Sequence, residues 1–332
     1  MKVLNNISLI DRKQWVALVN RSPVASIFQT PDIFDFFIEN ELYDIKILGV
    51  EEDCVLKGLV VCVIQSEGKR LKKLLTTRAI INGGPLLDDS ISDDALKLLL
   101  CSVLSELKKQ CIYIETRNLN DYSRWRNIFE ACGFEYQPHY NFHIDTSEIE
   151  IEKGFDKSRR KRIRRALENG AVINSDNACL PSFYGILSDL YRNKIHKPLP
   201  PYEMFESLLK YPFAKYFYVL SPQRKVIGGQ LILLLGNRVA YAWYCCGLDQ
   251  EYRELHPSIM ANYAAIRFAS DQGFGRYDMM GAGEPGDHYG VRDFKAQFGG
   301  TLVEHGRFRR INNAIVYNLG RLAISILDSL KK

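Results

Sequence analysis

The sequence lacks the residue patterns on which common metal-dependent and serine-dependent enzymes rely. Its eight cysteines form no CxxC pair and no Cys/His cluster with metal-ligand spacing. Its six histidines form no HExxH motif, and no serine stands in a GxSxG motif. We therefore expect neither a metal site nor a bound cofactor, and the sequence does not support a serine-hydrolase mechanism.

Long apolar runs are also missing. The run at residues 231–235 is far shorter than the roughly 20 apolar residues that span a bilayer, and no other run approaches that length. The first residues contain neither the apolar core nor the small-residue cleavage site of a secretory signal. We expect a cytoplasmic protein, either soluble throughout or peripheral to a membrane.

Neither sign of charge is in large excess. The formal net charge of +5 at pH 7 is only mildly basic, so it does not by itself indicate a nucleic-acid-binding protein. The residues are 46% hydrophobic and 25% charged, as in globular proteins. Because domains contain roughly 100 to 200 residues, the 332-residue length predicts two of them.

Strands and helices are predicted in both halves, so the expected fold class is α/β (α+β). In the first half, strand-like runs at residues 43–51, 54–66 and 71–87 precede a helix capped by Ser92. In the second half, residues 215–247 are predicted to form three strands, followed by a long helix. Strands joined by short turns predict mixed, mostly antiparallel sheets flanked by helices.

An internal repeat relates the two halves. Residues 111–134 align without gaps with residues 277–300, with three identical pairs in 24 positions. The stronger evidence is the shared order of elements, a long helix, a strand, a short helix that ends at glycine, and another strand. We therefore divide the chain into two related modules, residues 1–150 and residues 151–332.

The repeat also draws attention to Lys295. At the same register the first module has Phe129, so a cation replaces an apolar residue in the second module. A lysine at this position can bind a phosphate, or it can stabilise the oxyanion that forms when an amine attacks an ester or thioester. The alternative interpretation is a surface lysine on an amphipathic helix.

The predicted helix around this lysine contains two further candidates, Arg292 for substrate binding and Asp293 for catalysis. The proton that the attacking amine loses goes to Asp293, to Glu284, to a tyrosine or to the substrate, and the sequence does not choose between them. The loop before the helix spells GxGxxG, but Pro285 and the late position in the chain do not fit a dinucleotide-binding fold.

Three residues elsewhere in the second module are candidates for the same site. Tyr244, a candidate for catalysis, and Tyr241, a candidate for substrate binding, lie on one predicted strand, and each either faces the site or packs in the core. Arg192 follows a predicted helix, where it either closes over the substrate or forms a structural ion pair.

The strongest local signal is a basic helix predicted at residues 158–170. Six of the seven residues at 159–165 are Arg or Lys. Such a cluster is typical of a polyanion site, for a nucleotide pyrophosphate, coenzyme A or a tRNA acceptor end. The alternative is a solvated face paired with acidic neighbours. The candidate substrate-binding residues here are Arg159, Arg160, Arg162 and Arg164.

The last twenty residues, 313–332, form an amphipathic pattern with cationic ends. A helix of this kind either packs on its own domain or rests on a membrane surface. Both alternatives stay open at the level of sequence.

Several segments resemble the FemA/FemB/FemX (FemAB) family and related GNAT-like (BioF2-like) acyltransferases. They are SIFQTPDIFDFF, SRRKRIRRALENGAVI, LYRNK, GGQLILLLGNRVAYAWY, and YDMMGAG with VRDFKAQFGG. The resemblance extends over most of the chain. It implies two tandem GNAT-like domains, with the transfer site in the second.

The resemblance also implies a function. Lys295, and an arginine comparable to Arg192, would bind or stabilise the substrates of an enzyme that forms an amide bond on an amine acceptor. The donor would be acyl-CoA or aminoacyl-tRNA, and the acceptor a small or nucleotide-linked amine used in peptidoglycan or polysaccharide assembly. An acyl-CoA-dependent N-acetyltransferase and a non-catalytic tRNA-binding module are the alternatives, and a monomer or a homodimer is expected.

Overall fold

The computed structural model describes residues 1–41, 43–66, 71–147, 150–286 and 289–329. The chain forms two compact units. One consists of Met1–His139 together with Glu304–Lys332, and the other of Tyr140–Val303.

The elements are numbered along the chain. The α-helices are α1 (Arg12–Arg21), α2 (Pro31–Glu39), α3 (Leu71–Thr76), α4 (Asp93–Leu107), α5 (Arg126–Ala131), α6 (Lys157–Glu168), α7 (Leu180–Leu190), α8 (Tyr202–Leu208), α9 (Pro257–Asp271), α10 (Gly290–Ala296) and α11 (Ala314–Ser329). The strands are β1 (Lys2–Leu4), β2 (Asp44–Glu52), β3 (Val55–Gln65), β4 (Arg78–Gly83), β5 (Leu86–Leu87), β6 (Tyr113–Asn118), β7 (Glu135–Gln137), β8 (Tyr140–Asp145), β9 (Val172–Asn174), β10 (Ala214–Leu220), β11 (Val226–Leu235), β12 (Val239–Gly247), β13 (Arg276–Gly281), β14 (Thr301–Glu304) and β15 (Arg307–Ile311). Short 3₁₀ turns lie at Ile7–Leu9, Ile27–Gln29, Ser123–Trp125, Ile151–Gly154 and Asn177–Cys179, and a π-helical turn at Tyr191–Ile195.

The first unit is a mixed sheet with the strand order β1-β2-β3-β4-β6-β15-β7, and β5 pairs with β3. β4 and β6 are parallel, and the other pairs described in this sheet are antiparallel. α4 contacts β2 and β3. It begins at Ser92, whose Oγ accepts a hydrogen bond from the Ala95 N–H at 3.1 Å, as in an N-cap. Its buried side chains recur at helical spacing and include Ala95, Leu96, Leu99, Leu100 and Val103.

The second unit has the strand order β14-β8-β13-β12-β11-β10-β9. β12 and β13 are parallel, whereas β8, β10 and β11 pair antiparallel with their neighbours β13, β9 and β12. α9 packs on β10, β11 and β12. Pro257 occupies its first turn, where proline is favoured because its missing N–H would have no helical partner. Burial of this helix against three strands forms the main core of the unit.

The predicted fold class is confirmed, because both units are mixed α/β structures with mostly antiparallel sheets. The shared order of elements is also present, with α4, β6, α5 and β7 in one unit and α9, β13, α10 and β14 in the other. One local prediction is wrong. Residues 71–87 do not form a single strand, because the run begins with helix α3 and only then enters β4 and β5. The sequence LKKLLT lacks the alternation of a half-buried strand and consists mainly of good helix formers.

The division into units differs from the sequence-based boundary after residue 150. β8 belongs to the second unit because it pairs with β13, from Arg276 opposite Asp145 to Gly281 opposite Asn141. β15 belongs to the first unit because it inserts between β6 and β7. Long-range strand pairing of this kind leaves no local signal in the sequence.

Candidate active site

The parallel strands β12 and β13 are paired along only part of their length. Their ladder runs from Val239 opposite Arg276 to Tyr241 opposite Asp278 and then stops. Past this point, residues 242–247 and 279–281 form no ladder pairs with each other. We call this opening the strand wedge and define it by those two segments.

Two local irregularities accompany the strand wedge. The pairing of β11 with β12 shifts register at Leu231, so that Trp243 is skipped, which is a β-bulge. On the other side, Met280 adopts a left-handed conformation with φ 59°. Its N–H donates a 2.6 Å hydrogen bond to Oδ1 of Asp278, and this bond holds the bent backbone in place.

Lys295 reaches the strand wedge from α10. Its Nζ donates to the carbonyl oxygens of Met279 at 2.5 Å, Gly281 at 2.7 Å and Met280 at 3.4 Å. Three carbonyls match the three N–H donors of an ammonium group. The left-handed residue allows three consecutive carbonyls to approach one cation, which a regular strand does not permit.

The electrostatic setting of Lys295 combines burial with a nearby carboxylate. Burial lowers the pKa of Lys295 to about 8, while Asp278 acts in the opposite direction. With that pKa, about nine-tenths of the ammonium remains protonated at pH 7. The side chain is therefore a partly desolvated cation, the form that can stabilise a developing oxyanion.

Asp278, which accepts the hydrogen bond from the Met280 N–H, also lies beside His143. Asp278 is fully buried, and its Oδ2 lies 3.2 Å from Nε2 of His143 on β8. Sequence reasoning did not identify either residue. The one available signal was a carboxylate inside the apolar strand YDMMG, since a buried aspartate usually has a specific partner.

Cys245, on the β12 side of the strand wedge, is a thiol at neutral pH. Burial raises its pKa to about 12, and Nδ2 of Asn262 donates to its sulfur at 3.3 Å. A thiol with so high a pKa is a poor nucleophile. Cys245 is therefore unsuited to forming a covalent acyl intermediate.

The structure separates the two tyrosine candidates. Tyr241 is fully buried, and burial raises its pKa well above the ordinary value. It therefore packs inside the unit and does not line an open site. Tyr244 is half-buried, with its ring centroid 5.1 Å from that of Phe205 and 6.1 Å from that of Tyr191.

Arg192 lies next to Tyr191 in the π-helical turn, and its side chain is 71% exposed. Its NH1 is 3.5 Å from Oδ1 of Asp189, which is also exposed. Such a pair contributes little to stability, and the exposed Arg192 side chain is accessible to a ligand.

The two candidates beside Lys295 on α10 have other positions. Arg292 donates to the backbone oxygens of Ala282 at 2.9 Å and Glu284 at 2.5 Å, so it organises the preceding loop. Asp293 is exposed, and residues two positions apart on a helix point in different directions. The geometry therefore does not bring Asp293 to the ammonium group of Lys295.

The basic helix α6 divides its arginines between the core and the surface. Arg159 is 1% exposed, which corrects the expectation that it binds a phosphate from the surface. The correction has a simple cause, since Arg159 is four residues before Ile163, on the stripe that faces the core.

The other three candidates on this helix are exposed, and their side chains form no hydrogen bond or ion pair with the part of the chain that the structure describes. They are Arg160, Arg162 and Arg164. Nearby, Arg165 forms an exposed ion pair with Glu254 at 2.5 Å.

The N-terminus of α9 already holds a carboxylate. Asp249 accepts hydrogen bonds from the Ser258 N–H at 3.0 Å and from its hydroxyl at 2.5 Å. A helix N-terminus is a common phosphate site. Here an aspartate of the same chain occupies it, so a bound phosphate would have to displace or avoid this carboxylate.

Within the described ranges, no cluster of His, Cys, Asp and Glu has the arrangement of a metal site. The helices in those ranges are each too short or too polar to cross a bilayer.

Part of the second unit is similar to a known family of domains. Residues 154–296 match the family model described as "Acetyltransferase (GNAT) domain". This match spans α6 to α10 and includes both sides of the strand wedge. No curated protein matches the sequence.

Solved structures with the same fold cover nearly the whole chain. FemX superimposes with a TM-score of 0.72 at 17% identity, over 96% of this chain and 99% of that one. L-PGS from Bacillus licheniformis gives 0.59 at 12% identity, over 94% and 96%. A tandem GNAT protein from the clavulanic acid biosynthesis pathway gives 0.57 at 8% identity, over 94% and 98%. The chain therefore has the tandem GNAT fold that the resemblance to the FemAB group implied, and the comparisons support an acyltransferase.

Proposed function

We propose that this chain, whose residues 154–296 match a GNAT acetyltransferase domain, transfers an acyl or aminoacyl group to an amine in the strand wedge. The observation that carries the proposal is the position of Lys295. Its partly desolvated ammonium group lies at the open end of β13, against three backbone carbonyls.

The strand wedge suits an extended donor. Backbone groups of residues 242–247 that face the opening can pair with a substrate as a strand edge pairs with a peptide, while the carbonyls of residues 279–281 hold Lys295. A carbonyl carbon held there lies close to Lys295. Holding the two reactants together supplies much of the rate, because it replaces a bimolecular encounter.

The transfer step needs little else from the protein. The amine nitrogen attacks the ester or thioester carbonyl, and the C–N bond forms while negative charge develops on oxygen. Lys295 stabilises that charge by turning one N–H away from its longest backbone contact, the 3.4 Å bond to the Met280 carbonyl, and donating it to the oxygen. The intermediate then collapses, the C–O or C–S bond breaks, and the alcohol or thiol leaves with the proton that the amine gives up.

The exposed arginines of α6 are proposed to bind the phosphates of the donor. Guanidinium groups suit phosphate oxygens, and Arg160, Arg162 and Arg164 are exposed. The N-terminus of α9 is less suitable because Asp249 caps it. This arrangement favours a donor whose phosphates extend along α6, such as aminoacyl-tRNA, over acyl-CoA.

The acceptor is proposed to be an amine used in cell-envelope assembly. One neighbour in fold is described as the C-terminal domain of a putative lysylphosphatidylglycerol synthetase from Agrobacterium fabrum, with a TM-score of 0.59 at 10% identity over 95% of each chain. That name specifies an aminoacyl product, which supports the aminoacyl alternative. Arg192 and Tyr244, on one side of the sheet, are the candidate contacts for the acceptor.

The first test is transfer activity in the Lys295→Ala variant. We expect kcat to fall by about 100- to 1000-fold, as for loss of an oxyanion donor, with donor binding preserved. Lys295→Arg should restore part of the rate. Lys210→Ala removes an exposed lysine of the same unit and serves as the matched control. Unchanged turnover in Lys295→Ala would refute the assignment.

The second test identifies the donor by thermal stabilisation with acyl-CoA, charged tRNA or nucleotide-linked muropeptides. We expect charged tRNA to raise the melting temperature, and the Arg160→Ala/Arg164→Ala variant to weaken that effect. A shift with acyl-CoA alone would reject the aminoacyl donor. Binding of tRNA without any transfer would favour a non-catalytic binding module.

A further inference from the structure

Arg159 is a buried cation attached to the helix that carries Lys295. It projects from α6, and its NH2 donates a 2.9 Å hydrogen bond to the backbone oxygen of Phe294 on α10. Its guanidinium carbon lies 4.5 Å from the ring centroid of Phe294 and 4.3 Å from that of Phe298. The side chain therefore holds the residues on both sides of Lys295.

Backbone contacts reinforce the same junction. The Asp156 N–H donates to the Gln297 oxygen at 3.0 Å, just beyond the end of α10. Gly299 has φ 75°, and a Cβ atom there would collide with the carbonyl oxygen of Gly154. The segment before α6 and the segment after α10 are thus in direct contact, and Arg159 lies at the centre of this junction.

The hydrogen bonding of Arg159 is incomplete for a purely structural residue. Within the described part of the chain, its Nε and NH1 are buried and have no hydrogen-bond partner. A buried guanidinium with a single carbonyl acceptor contributes little net stability, because desolvation offsets the contacts. An apolar side chain would fill the same space at lower cost, so the benefit of the arginine lies in where it fixes α10.

We propose that Arg159 is a positioning residue for Lys295, and that it fixes α10 so that the Lys295 ammonium stays on the carbonyls of Met279, Met280 and Gly281. The catalytic consequence depends on the function proposed above, but the positioning itself does not. Since α6 also presents the exposed arginines, the helix that would bind the donor directly supports the lysine that would act on it.

The test measures the protonation of Lys295 in the absence of any substrate. Competitive labelling with acetic anhydride, followed by mass spectrometry of the peptide that contains Lys295, gives its reactivity as a function of pH. We expect a midpoint near 8 in the wild type. In Arg159→Met we expect the midpoint to rise by about one pH unit or more, because a displaced lysine is better solvated.

Two further variants separate positioning from simple loss of charge. Arg159→Lys keeps the charge but loses the planar group that lies between the two rings, so we expect its midpoint to rise as well. Lys161→Met removes an exposed charge two residues away on the same helix and should leave the midpoint unchanged.

An unchanged midpoint in folded Arg159→Lys would overturn the proposal, because a rise in Arg159→Met alone would then be an effect of charge and not of position. So would a failure of both variants to fold, since Arg159 would then support the whole unit and not Lys295 in particular. If the midpoint shifts but transfer activity does not fall, the positioning stands and the proposed function fails. If the positioning and the proposed function are both correct, the kcat of Arg159→Met should fall with its KM little changed.

Discussion

Replacing Lys295 with methionine removes an ammonium group whose pKa the fold lowers from 10.5 to about 8. Below pH 8 the lysine is protonated in both the folded and the unfolded chain, so the folded state bears the full cost of burying the charge. As the pH rises from 8 to 10.5, the folded protein releases the proton while the unfolded chain keeps it. The cost then disappears, and the wild type gains stability relative to the variant.

The size of this gain follows from the shift. At about 1.4 kcal/mol per pKa unit, the lowering from 10.5 to about 8 corresponds to roughly 3 kcal/mol, which is an upper limit because solvent screens a half-buried group. Most of that gain should be present by pH 10, because the folded lysine is by then almost fully deprotonated while the unfolded chain is still largely protonated. The gain applies to the difference between wild type and Lys295→Met, because tyrosines and cysteines titrate in both proteins.

The assay is urea unfolding of both proteins at several pH values from 7 to 10, followed by circular dichroism. Lys210→Met provides the control, since loss of an exposed lysine should give a difference that does not change with pH. A difference between wild type and Lys295→Met that stays constant from pH 7 to 10 would refute the reasoning, because the lysine would then have an ordinary pKa in the folded protein.

Three other substitutions test separate parts of the structure. Burial opposes ionisation of Glu115, but its arginine partners outweigh this effect and lower its pKa. Glu115→Gln should therefore cost about 3 kcal/mol or more in urea unfolding at pH 7, and the difference should shrink as the pH falls through the lowered pKa. Gly299→Ala should lower the melting temperature far more than Gly273→Ala, because both have positive φ but only the first would collide with backbone. Tyr218→Phe should leave the melting temperature unchanged or raise it, since its buried hydroxyl has no partner among the described residues. An equal loss in the two glycine variants, or a large loss in Tyr218→Phe, would contradict these expectations.

Much of the fold was predictable because the signals were local. The cap at Ser92, the apolar face of α4 and the turns between β10, β11 and β12 each depend on a few neighbouring residues. The repeat of helix, strand and short helix was also visible in the sequence, and so was the contrast between Phe129 and Lys295. In the structure Phe129 is fully buried and stacks on Phe308, with ring centroids 4.1 Å apart.

The site was only partly predictable. Lys295 was identified as a candidate, but its three carbonyl partners depend on the left-handed turn at Met280, which no local pattern indicates. Arg159 was grouped with the other arginines of α6 because composition does not reveal which face of a helix is covered. Asp278 and His143 meet only because β8 pairs with β13, from segments more than a hundred residues apart.

The sequence by itself determined the two-module α/β architecture, the basic helix and the candidate lysine, because these follow from periodicity, caps and composition over short spans. Tertiary structure alone decided which arginine is buried, where β12 and β13 part, and how Lys295 reaches the strand wedge. These features arise from strand pairing and helix packing between distant segments, and their energies depend on contacts that do not exist until the chain has folded.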